Sequence, residues 1–298
     1  MVTAAPELRA SRVWWSAVRP VTLAASVAPV LAGTAIAVHE GGLRWWAGLA
    51  ALIIALGMQV GVNLANDYSD HVRGADSGRV GPLRAASSGV VEPAQVRRAA
   101  IAAFGVTAVA GIAVSLAVDW RLLVVGAACL LAGWLYTGGP RPYGYLGLGE
   151  LFVFIFFGLV ATVGTVYLEI GRITPISVLM GAGLGFLATA ILVLNNLRDI
   201  ETDAAAGKRT LATRVGRRGT RILLLVLVSA AFAVPIAIFM TKLAAVTVMA
   251  MHFGIPIASV PVRTAFASTS PPQLVQALKR MAAAELAYAL LFTVGILL

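Results

Sequence analysis

Acidic residues are scarce in this sequence and concentrated in two short segments. If each segment continues as a helix, Asn63, Asp67 and Asp70 share one face of the first, and the second repeats this arrangement with Asn195, Asp199 and Asp203. Ionisable groups placed where an apolar helix ends are candidates for function. The two segments contain nearly half of the 13 acidic residues: Asp67, Asp70, Asp76, Asp199, Glu201 and Asp203.

This donor set favours a hard cation. Carboxylate and amide oxygens without a Cys or His cluster are typical of Mg²⁺ sites, in which substrate phosphates and waters complete the coordination, and they argue against zinc. Asp clusters alone would repel a diphosphate, whereas bound Mg²⁺ reverses the local sign of charge. The pattern therefore predicts cooperative binding of Mg²⁺ and a diphosphate. Helix ends that are simply solvated are the alternative interpretation.

Basic residues follow both acidic segments. Arg73, Arg79 and Arg84 come after the first, and Lys208 and Arg209 come after the second. Such cations are suited to neutralising a departing diphosphate. Other basic residues near the same helix ends are interpreted as determinants of membrane topology: Arg97, Arg98, Arg217 and Arg218.

The elements that carry these residues are predicted to be membrane-spanning helices. The 298 residues are 59% hydrophobic and only 12% charged, which excludes an ordinary soluble domain, for which about 25% charged residues are usual. Apolar runs close to the roughly 20 residues that span a bilayer recur along the chain. They predict nine spans: 21–38, 45–66, 99–117, 122–138, 147–169, 174–196, 222–240, 243–262 and 281–298.

The net charge of +10 is explained by topology rather than by nucleic-acid binding. With the N-terminus cytoplasmic, all of the 23 basic residues fall on the cytoplasmic side except Arg44, Arg121, Arg172 and Lys242. The acidic segments then lie on the cytoplasmic side as well, and the C-terminus lies outside. Ala35-Ile36-Ala37 fits a signal cleavage site, but further spans follow, so the first span is predicted to be retained.

Three ordered motifs carry a family resemblance. They are NLANDYSDHVRGADSGRVGPLRAASSG from Asn63, YTGGPRPYGYLGLGE from Tyr136 and LNNLRDIETDAAAGKRTLATRVG from Leu194. The chain resembles the UbiA superfamily of intramembrane prenyltransferases, and within it the branch that acts on 1,4-dihydroxy-2-naphthoate. The resemblance implies one domain over residues 1–298, an all-α integral membrane bundle in the plasma membrane, and transfer of a polyprenyl chain from its diphosphate to give demethylmenaquinone.

The resemblance also implies roles for individual residues. Asn63, Asp67 and Asp70 would hold one Mg²⁺ and Asp199 and Asp203 a second, with Asp76 and Asn196 supporting. Arg19 would contribute near the start of the first span. The expected catalytic residues are Asp67, Asp70, Asp199, Asp203 and Lys208, and the expected diphosphate-binding residues are Asn63, Arg73, Arg84, Asn196, Lys208 and Arg209.

The reaction implied is an ionisation followed by ring attack. Diphosphate leaves the allylic C1 with the help of Mg²⁺ and Lys208 or Arg209. The naphthoate ring attacks C1, and loss of its carboxylate as CO₂ restores aromaticity, so no strong dedicated base is required; His71 is the one histidine inside a motif. Four tyrosines are candidates to face the cation, or ordinary interfacial residues: Tyr68, Tyr136, Tyr143 and Tyr145.

Other functions remain alternatives at this point. A cation-coupled transporter also uses repeated halves with polar sites, although near the bilayer midplane. An alcohol phosphotransferase would use Asp and Mg²⁺, but the Asp-Gly-x-x-Ala-Arg opening expected of it is missing. Within the superfamily, benzoates, haem, tocopherol precursors, chlorophyllide and sugar phosphates are further acceptors, and only the branch resemblance favours dihydroxynaphthoate.

Overall fold

The computed structural model describes residues 9–74 and 83–298, and these residues form helices joined by turns and short loops. Short 3₁₀ helices span Pro20–Leu23, Tyr143–Leu146 and Val246–Gly254, and a π-helical stretch spans Phe154–Val160. The α-helices are α1 (Ala10–Val18), α2 (Ala24–His39), α3 (Trp45–Val72), α4 (Pro93–Val118), α5 (Leu122–Leu135), α6 (Gly149–Val153), α7 (Ala161–Ile170), α8 (Pro175–Ala205), α9 (Leu211–Met240), α10 (Ile255–Ala267) and α11 (Pro271–Leu297).

Every predicted span coincides with a helical segment, which makes the chain a multi-pass membrane protein. Within the described ranges, eight segments are long and apolar enough to cross a bilayer. The exception is the fourth, because α5 has 14 residues and rises only about 21 Å, less than the ~30 Å hydrocarbon core. The predicted span 122–138 was therefore too long, since the helix ends before Gly138, Gly139 and Pro140.

The first span begins after a break in the chain. α1 ends at Val18, and Arg19 takes a left-handed conformation with φ 54°. Pro20 then starts a 3₁₀ turn that leads into α2. α1 buries Val13 and Ala17 and contacts α3. This short helix therefore packs beside the first acidic segment.

Helix α8 is the most buried of the candidate spans, and it carries the second acidic segment at its C-terminal end. It packs against α9, α11 and the π-helical stretch. Where it crosses that stretch, a Cβ on Gly158 would lie 2.3 Å from Cα of Gly185 and 2.5 Å from the carbonyl oxygen of Gly181. Close packing of membrane helices relies on such small residues. This close crossing fixes the position of α8 along its own axis, and therefore the depth in the membrane at which its polar end lies.

Glu285 lies within α11 and is fully buried (0% exposed). Neither carboxyl oxygen has a hydrogen-bond partner among the described residues. An unsatisfied buried polar group costs about 1–3 kcal/mol, and an apolar side chain of similar shape avoids this cost. We therefore expect Glu285→Met to raise the midpoint of thermal unfolding in detergent, measured by tryptophan fluorescence.

The isosteric variant Glu285→Gln is the control for this prediction, because it keeps the shape and the polarity of the side chain. We expect its midpoint to lie nearer to that of the wild type than to that of Glu285→Met. A lower midpoint for Glu285→Met than for the wild type would contradict the prediction.

Candidate active site

Asn63 connects the first acidic segment to the start of the first span. Its Nδ2 donates to the carbonyl of Val18 at 2.9 Å and to the hydroxyl of Thr22 at 3.2 Å. Its Oδ1 accepts from Nε2 of Gln59 at 3.2 Å. Asn63 is buried, as expected for the inward face of α3. The amide thus holds the α1 junction against the helix that carries Asp67.

Asp67 lies one turn further along α3 and is buried. Its Oδ2 accepts from the backbone N–H of Ala85 at 2.8 Å, and its Oδ1 accepts from that of Ala86 at 3.2 Å. A carboxylate that accepts two backbone hydrogen bonds is a strong anchor for a loop. Asp67 therefore holds the segment before α4 over the polar end of α3.

Asp70 is the point at which distant parts of the chain meet. Its Oδ2 accepts from the Arg84 guanidinium at 2.8 Å. Its Oδ1 accepts from the Tyr145 hydroxyl at 2.6 Å and from the Lys208 ammonium at 3.0 Å. Asp70 is only 3% exposed, so these charge-assisted contacts lie largely out of water, where they are strong. They join four of the residues named from the sequence in one cluster: Asp70, Arg84, Tyr145 and Lys208.

The second acidic segment contains an ion pair that was not predicted. Arg198 donates from Nε and Nη2 to the two carboxylate oxygens of Asp199, at 2.6 and 2.5 Å. Its Nη2 also donates to Oδ1 of Asn195 at 2.9 Å. Both members of the pair are buried. A basic residue next to a predicted metal-ligating Asp was the signal that could have identified Arg198.

Lys208 joins the two acidic segments. Its ammonium lies 3.0 Å from Oδ1 of Asp70 and 3.7 Å from Oδ1 of Asp203. The same ammonium is 4.6 Å from the ring centroid of Tyr145. The ends of α3 and α8 therefore present their carboxylates to one shared volume, and the Lys208 ammonium lies between them.

Arg73 occupies a different place from Lys208. Its guanidinium donates to the carbonyls of Thr137 and Gly139, the latter at 2.6 Å. It also lies 5.3 Å from the centroid of the Tyr145 ring. Arg73 thus ties the loop after α5 to the end of α3, so its predicted role in diphosphate binding would be exerted from the edge of the cluster.

Asn196 and Arg209, also predicted to bind the diphosphate, make their hydrogen bonds away from Asp70. Nδ2 of Asn196 donates to Oε1 of Glu150 at 3.0 Å, on a side of α8 that sequence reasoning had not linked to a carboxylate. The backbone N–H of Arg209 donates to the carbonyl of Tyr145 at 3.0 Å. Asp76, predicted as a supporting ligand, lies outside the described residues. Glu150 is buried, and an acidic residue in an apolar segment was the available signal for it.

Arg19 and His71, also named from the sequence, lie at the border of the cluster. The carbonyl of Arg19 accepts from the Thr22 hydroxyl at 2.9 Å, which stabilises the turn before α2. His71 Nδ1 lies 3.0 Å from the Ser87 hydroxyl. His71 thus contacts the loop that Asp67 anchors.

Three aromatic rings, those of Tyr136, Tyr143 and Phe152, pack against one another, and Tyr143 belongs to the same 3₁₀ turn as Tyr145. Tyr136 and Tyr143 pack edge to face at 5.5 Å, and Tyr143 stacks on Phe152 at 4.0 Å. Tyr68 packs elsewhere, with the Arg97 guanidinium 5.9 Å from its ring centroid. The structure therefore separates Tyr68 from the other tyrosines that were candidates to face a cation.

Tyr145 is held as a neutral hydrogen-bond donor. Burial, followed by the negative charge of Asp70, raises the pKa of Tyr145 above its ordinary value. The hydroxyl therefore stays protonated at neutral pH and donates to the carboxylate. Its ring lies within 5.3 Å of the Arg73 guanidinium and 4.6 Å of the Lys208 ammonium, and it also orients both cations.

We expect Tyr145→Phe to lower kcat/KM by roughly 10- to 100-fold, because a hydrogen bond to a charged group contributes about 1.5–3 kcal/mol. The ring and its contacts with both cations remain, so the variant should still fold. The matched control is Tyr167→Phe, which removes a 2.5 Å hydrogen bond to Asp119 at the opposite end of the bundle. Equal activities of the two variants would contradict the role of Tyr145.

The donor set of this cluster fits a divalent metal ion. Among the described residues no group of three His, Cys, Asp or Glu side chains converges as a closed metal site. However, the carboxylates of Asp70 and Asp203 already share one cation, Lys208. Oxygen ligands that gather positive charge in this way suit Mg²⁺, which takes few protein ligands and completes its shell with phosphates and water.

The fold and this cluster define a polytopic membrane protein that presents carboxylates and cations together at one end of its helix bundle. The chain matches the model of the UbiA prenyltransferase family over residues 26–289, and it belongs to that family. It is therefore a membrane prenyltransferase.

Relatives and solved structures agree with this assignment. The chain is 47% identical over 210 residues, covering 70% of it and 72% of the relative, to the 1,4-dihydroxy-2-naphthoate octaprenyltransferase of Mycobacterium tuberculosis. It is 33% identical to the Haemophilus influenzae protein of the same name, with 96% of each chain covered. Its fold is similar to that of a UbiA homolog from Archaeoglobus fulgidus bound to GPP and Mg²⁺, with TM-score 0.66, 15% identity, and coverage of 94% of this chain and 99% of the other.

Proposed function

We propose that this chain transfers a polyprenyl group from its diphosphate to 1,4-dihydroxy-2-naphthoate, with loss of CO₂, to form demethylmenaquinone in its reduced quinol form, which air then oxidises to the quinone. The observation that carries the proposal is the meeting of Asp70 and Asp203 at Lys208, in a chain that aligns with named dihydroxynaphthoate octaprenyltransferases along 96% of its length. The length of the prenyl chain in those relatives, eight units by their name, is part of the proposal.

The proposed cofactor is Mg²⁺. When bound, it would neutralise the diphosphate and act as a Lewis acid towards the leaving group. The protein's own cations at these carboxylates support this proposal, because they hold together acidic groups that would otherwise repel one another. The residues proposed to hold the metal are Asn63, Asp67, Asp70, Asp76, Asp199 and Asp203.

Lys208 and Arg84 are proposed to bind and neutralise the diphosphate. Both already contact Asp70, so they lie where a phosphate bound to the same carboxylate cluster would arrive. Charge-assisted contacts of this kind stabilise the negative charge that develops on the leaving group. Arg209 and Asn196 are proposed to contribute from the rim.

The chain's aromatic residues and loops complete the proposed reaction. The C1–O bond of the prenyl diphosphate breaks, C1 bonds to the naphthoate ring, and the carboxylate leaves as CO₂. Tyr136 and Tyr143 lie beside the cluster with faces that stabilise a desolvated cation. The loop anchored by Asp67 covers the end of α3 and limits access of water, which would hydrolyse the cation.

We also propose a location and an orientation. The chain would lie in the plasma membrane, with its N-terminus and both acidic segments in the cytoplasm and its C-terminus outside. The distribution of basic residues supports this orientation. A cysteine substituted for Ser268, in the loop before α11, should react with a membrane-impermeant thiol reagent only from the cytoplasmic side. A cysteine substituted for Gly41 should react only from outside.

The test of the function is prenyl transfer by the purified protein in nanodiscs. Dihydroxynaphthoate and octaprenyl diphosphate are supplied with Mg²⁺ or with EDTA, and product mass and released CO₂ are measured. A Mg²⁺-dependent demethylmenaquinone product supports the proposal. Consumption of diphosphate without that product would show that the acceptor is not dihydroxynaphthoate. No turnover of diphosphate at all would overturn the proposal.

A further inference from the structure

A groove of about 430 Å³ lies beside the cluster around Asp70 and shares Arg73 with the edge of that cluster. It runs along the polar end of α3 and is closed on its two sides by α4 and by the end of α5. Among the described residues, its lining includes Ala65, Tyr68, Arg73, Arg97, Ile101 and Trp134.

One end of the groove is basic. Arg97 is exposed, and its guanidinium covers the ring of Tyr68 at 5.9 Å. Arg73, also exposed, borders the same end. Both belong to the side of the membrane on which the basic residues accumulate. The groove therefore attracts a negatively charged group at this end.

The other end is apolar and opens towards the lipid. Ile101 lies one turn after Arg97 on α4 and is 52% exposed, and Trp134 is 39% exposed. From Ile101 to Val118, α4 is apolar apart from Thr107 and Ser115, which are both buried. A ligand that fills the whole groove must therefore combine a negative head with a hydrocarbon chain.

The floor of the groove is rigidly built. Trp134 packs edge to face on Phe104 at 6.3 Å. Phe104 in turn sits against Gly61, where a Cβ would lie 2.9 Å from its ring, and against Gly133, where a Cβ would lie 3.3 Å from it. These close approaches position Trp134, so the groove is a fixed feature of the packing of α3, α4 and α5.

We propose that this groove is a binding site for an anionic phospholipid of the phosphatidylglycerol class. The phosphate would lie at Arg97 and Arg73, and an acyl chain would run along Ile101 and Trp134. Basic recesses between membrane helices on the cytoplasmic side are suited to anionic headgroups. A free phosphate would leave the apolar half uncovered, whereas a zwitterionic lipid would bring a choline group to the two guanidinium groups.

A lipid bound in the groove is expected to affect the acidic cluster, because both are built on α3. Tyr68, under Arg97, follows Asp67 directly and precedes Asp70 by two residues. A lipid held between Arg97 and Trp134 braces the segment that positions both carboxylates. Prenyl transfer is therefore expected to be faster in bilayers that contain phosphatidylglycerol than in bilayers of phosphatidylcholine alone.

The test measures quenching of tryptophan fluorescence by lipids brominated on their acyl chains. The full-length protein is reconstituted in phosphatidylcholine nanodiscs, and brominated phosphatidylglycerol is titrated in. We expect saturable quenching that is lost in Trp134→Phe and that requires about fivefold more lipid in Arg97→Gln, the change expected from removing one basic contact. Brominated phosphatidylcholine should give only non-saturable quenching.

Arg98→Gln is the matched control, because it removes the same charge from the next residue of α4, which does not line the groove. Its titration should match that of the wild type. Equal behaviour of Arg97→Gln and Arg98→Gln would overturn the proposal, as would equal saturable quenching by both lipids. Displacement of the lipid by octaprenyl diphosphate would also overturn it, because the groove would then belong to the substrate. These readouts do not depend on prenyl transfer.

Discussion

Replacing Asp70 with asparagine is expected to lower Mg²⁺-dependent prenyl transfer by at least about 10²–10³-fold, the usual effect of removing one electrostatic contact from the transition state. Asp70 receives a guanidinium, an ammonium and a tyrosine hydroxyl, and an amide cannot accept from all of them. The measurement is kcat/KM for octaprenyl diphosphate in nanodiscs across a range of Mg²⁺ concentrations.

Two companion variants make this prediction decisive. Asp203→Asn lies in the second segment, where the Lys208 ammonium is 3.7 Å from its Oδ1, and its loss of activity should be partly offset by more Mg²⁺. Asp119→Asn, the same substitution at the opposite end of the bundle, should keep wild-type activity. Full activity in both Asp70→Asn and Asp203→Asn would remove these carboxylates from the site.

The second large effect is expected for Lys208→Gln, with a fall of about 100-fold in kcat/KM. The ammonium bridges Asp70 and Asp203, so the substitution removes a cation that is proposed to bind the diphosphate. It also leaves two carboxylates close together without their shared cation, and Mg²⁺ should compensate. We therefore expect Mg²⁺ to raise the unfolding midpoint of Lys208→Gln by more than that of the wild type.

Lys279→Gln is the control for Lys208→Gln, because Lys279 is exposed near the start of α11 and contacts none of the motif residues in the cluster described above. Its activity and its response to Mg²⁺ should match the wild type. If Mg²⁺ stabilised Lys208→Gln no more than the wild type, Lys208 and the metal would not share the same carboxylates.

The helical membrane fold could be predicted because its signals are local. Long apolar runs and the distribution of charge do not depend on contacts, and each of the nine predicted spans coincides with a helical segment, although the short helix α1 was not among them. The error at α5 arose because the predicted span was carried on through Tyr136, Thr137 and Gly138, whereas the helix ends at Leu135. A hydropathy pattern measures burial in lipid and does not measure where hydrogen bonding along a helix ends.

The partners of the acidic residues could not be predicted, because they depend on contacts between distant parts of the chain. Asp70 and Lys208 are 138 positions apart, and Asn196 and Glu150 are 46 positions apart. Arg198 is part of the second motif, but only the structure shows that its guanidinium donates hydrogen bonds to the carboxylate of Asp199. Likewise, Arg73 and Arg84 both follow the first segment, and only Arg84 reaches Asp70 in the structure.

The sequence by itself determined the class of this protein: a chain of apolar helices with two acidic segments at the same end, suited to a metal-bound diphosphate. Composition, helical periodicity and charge placement suffice for this because each is a property of neighbouring residues. The tertiary structure decided which carboxylate meets which cation and which arginine turns outwards to the groove beside α4. Those choices depend on the packing of α3, α4, α5 and α8, and close packing is a property of the folded whole.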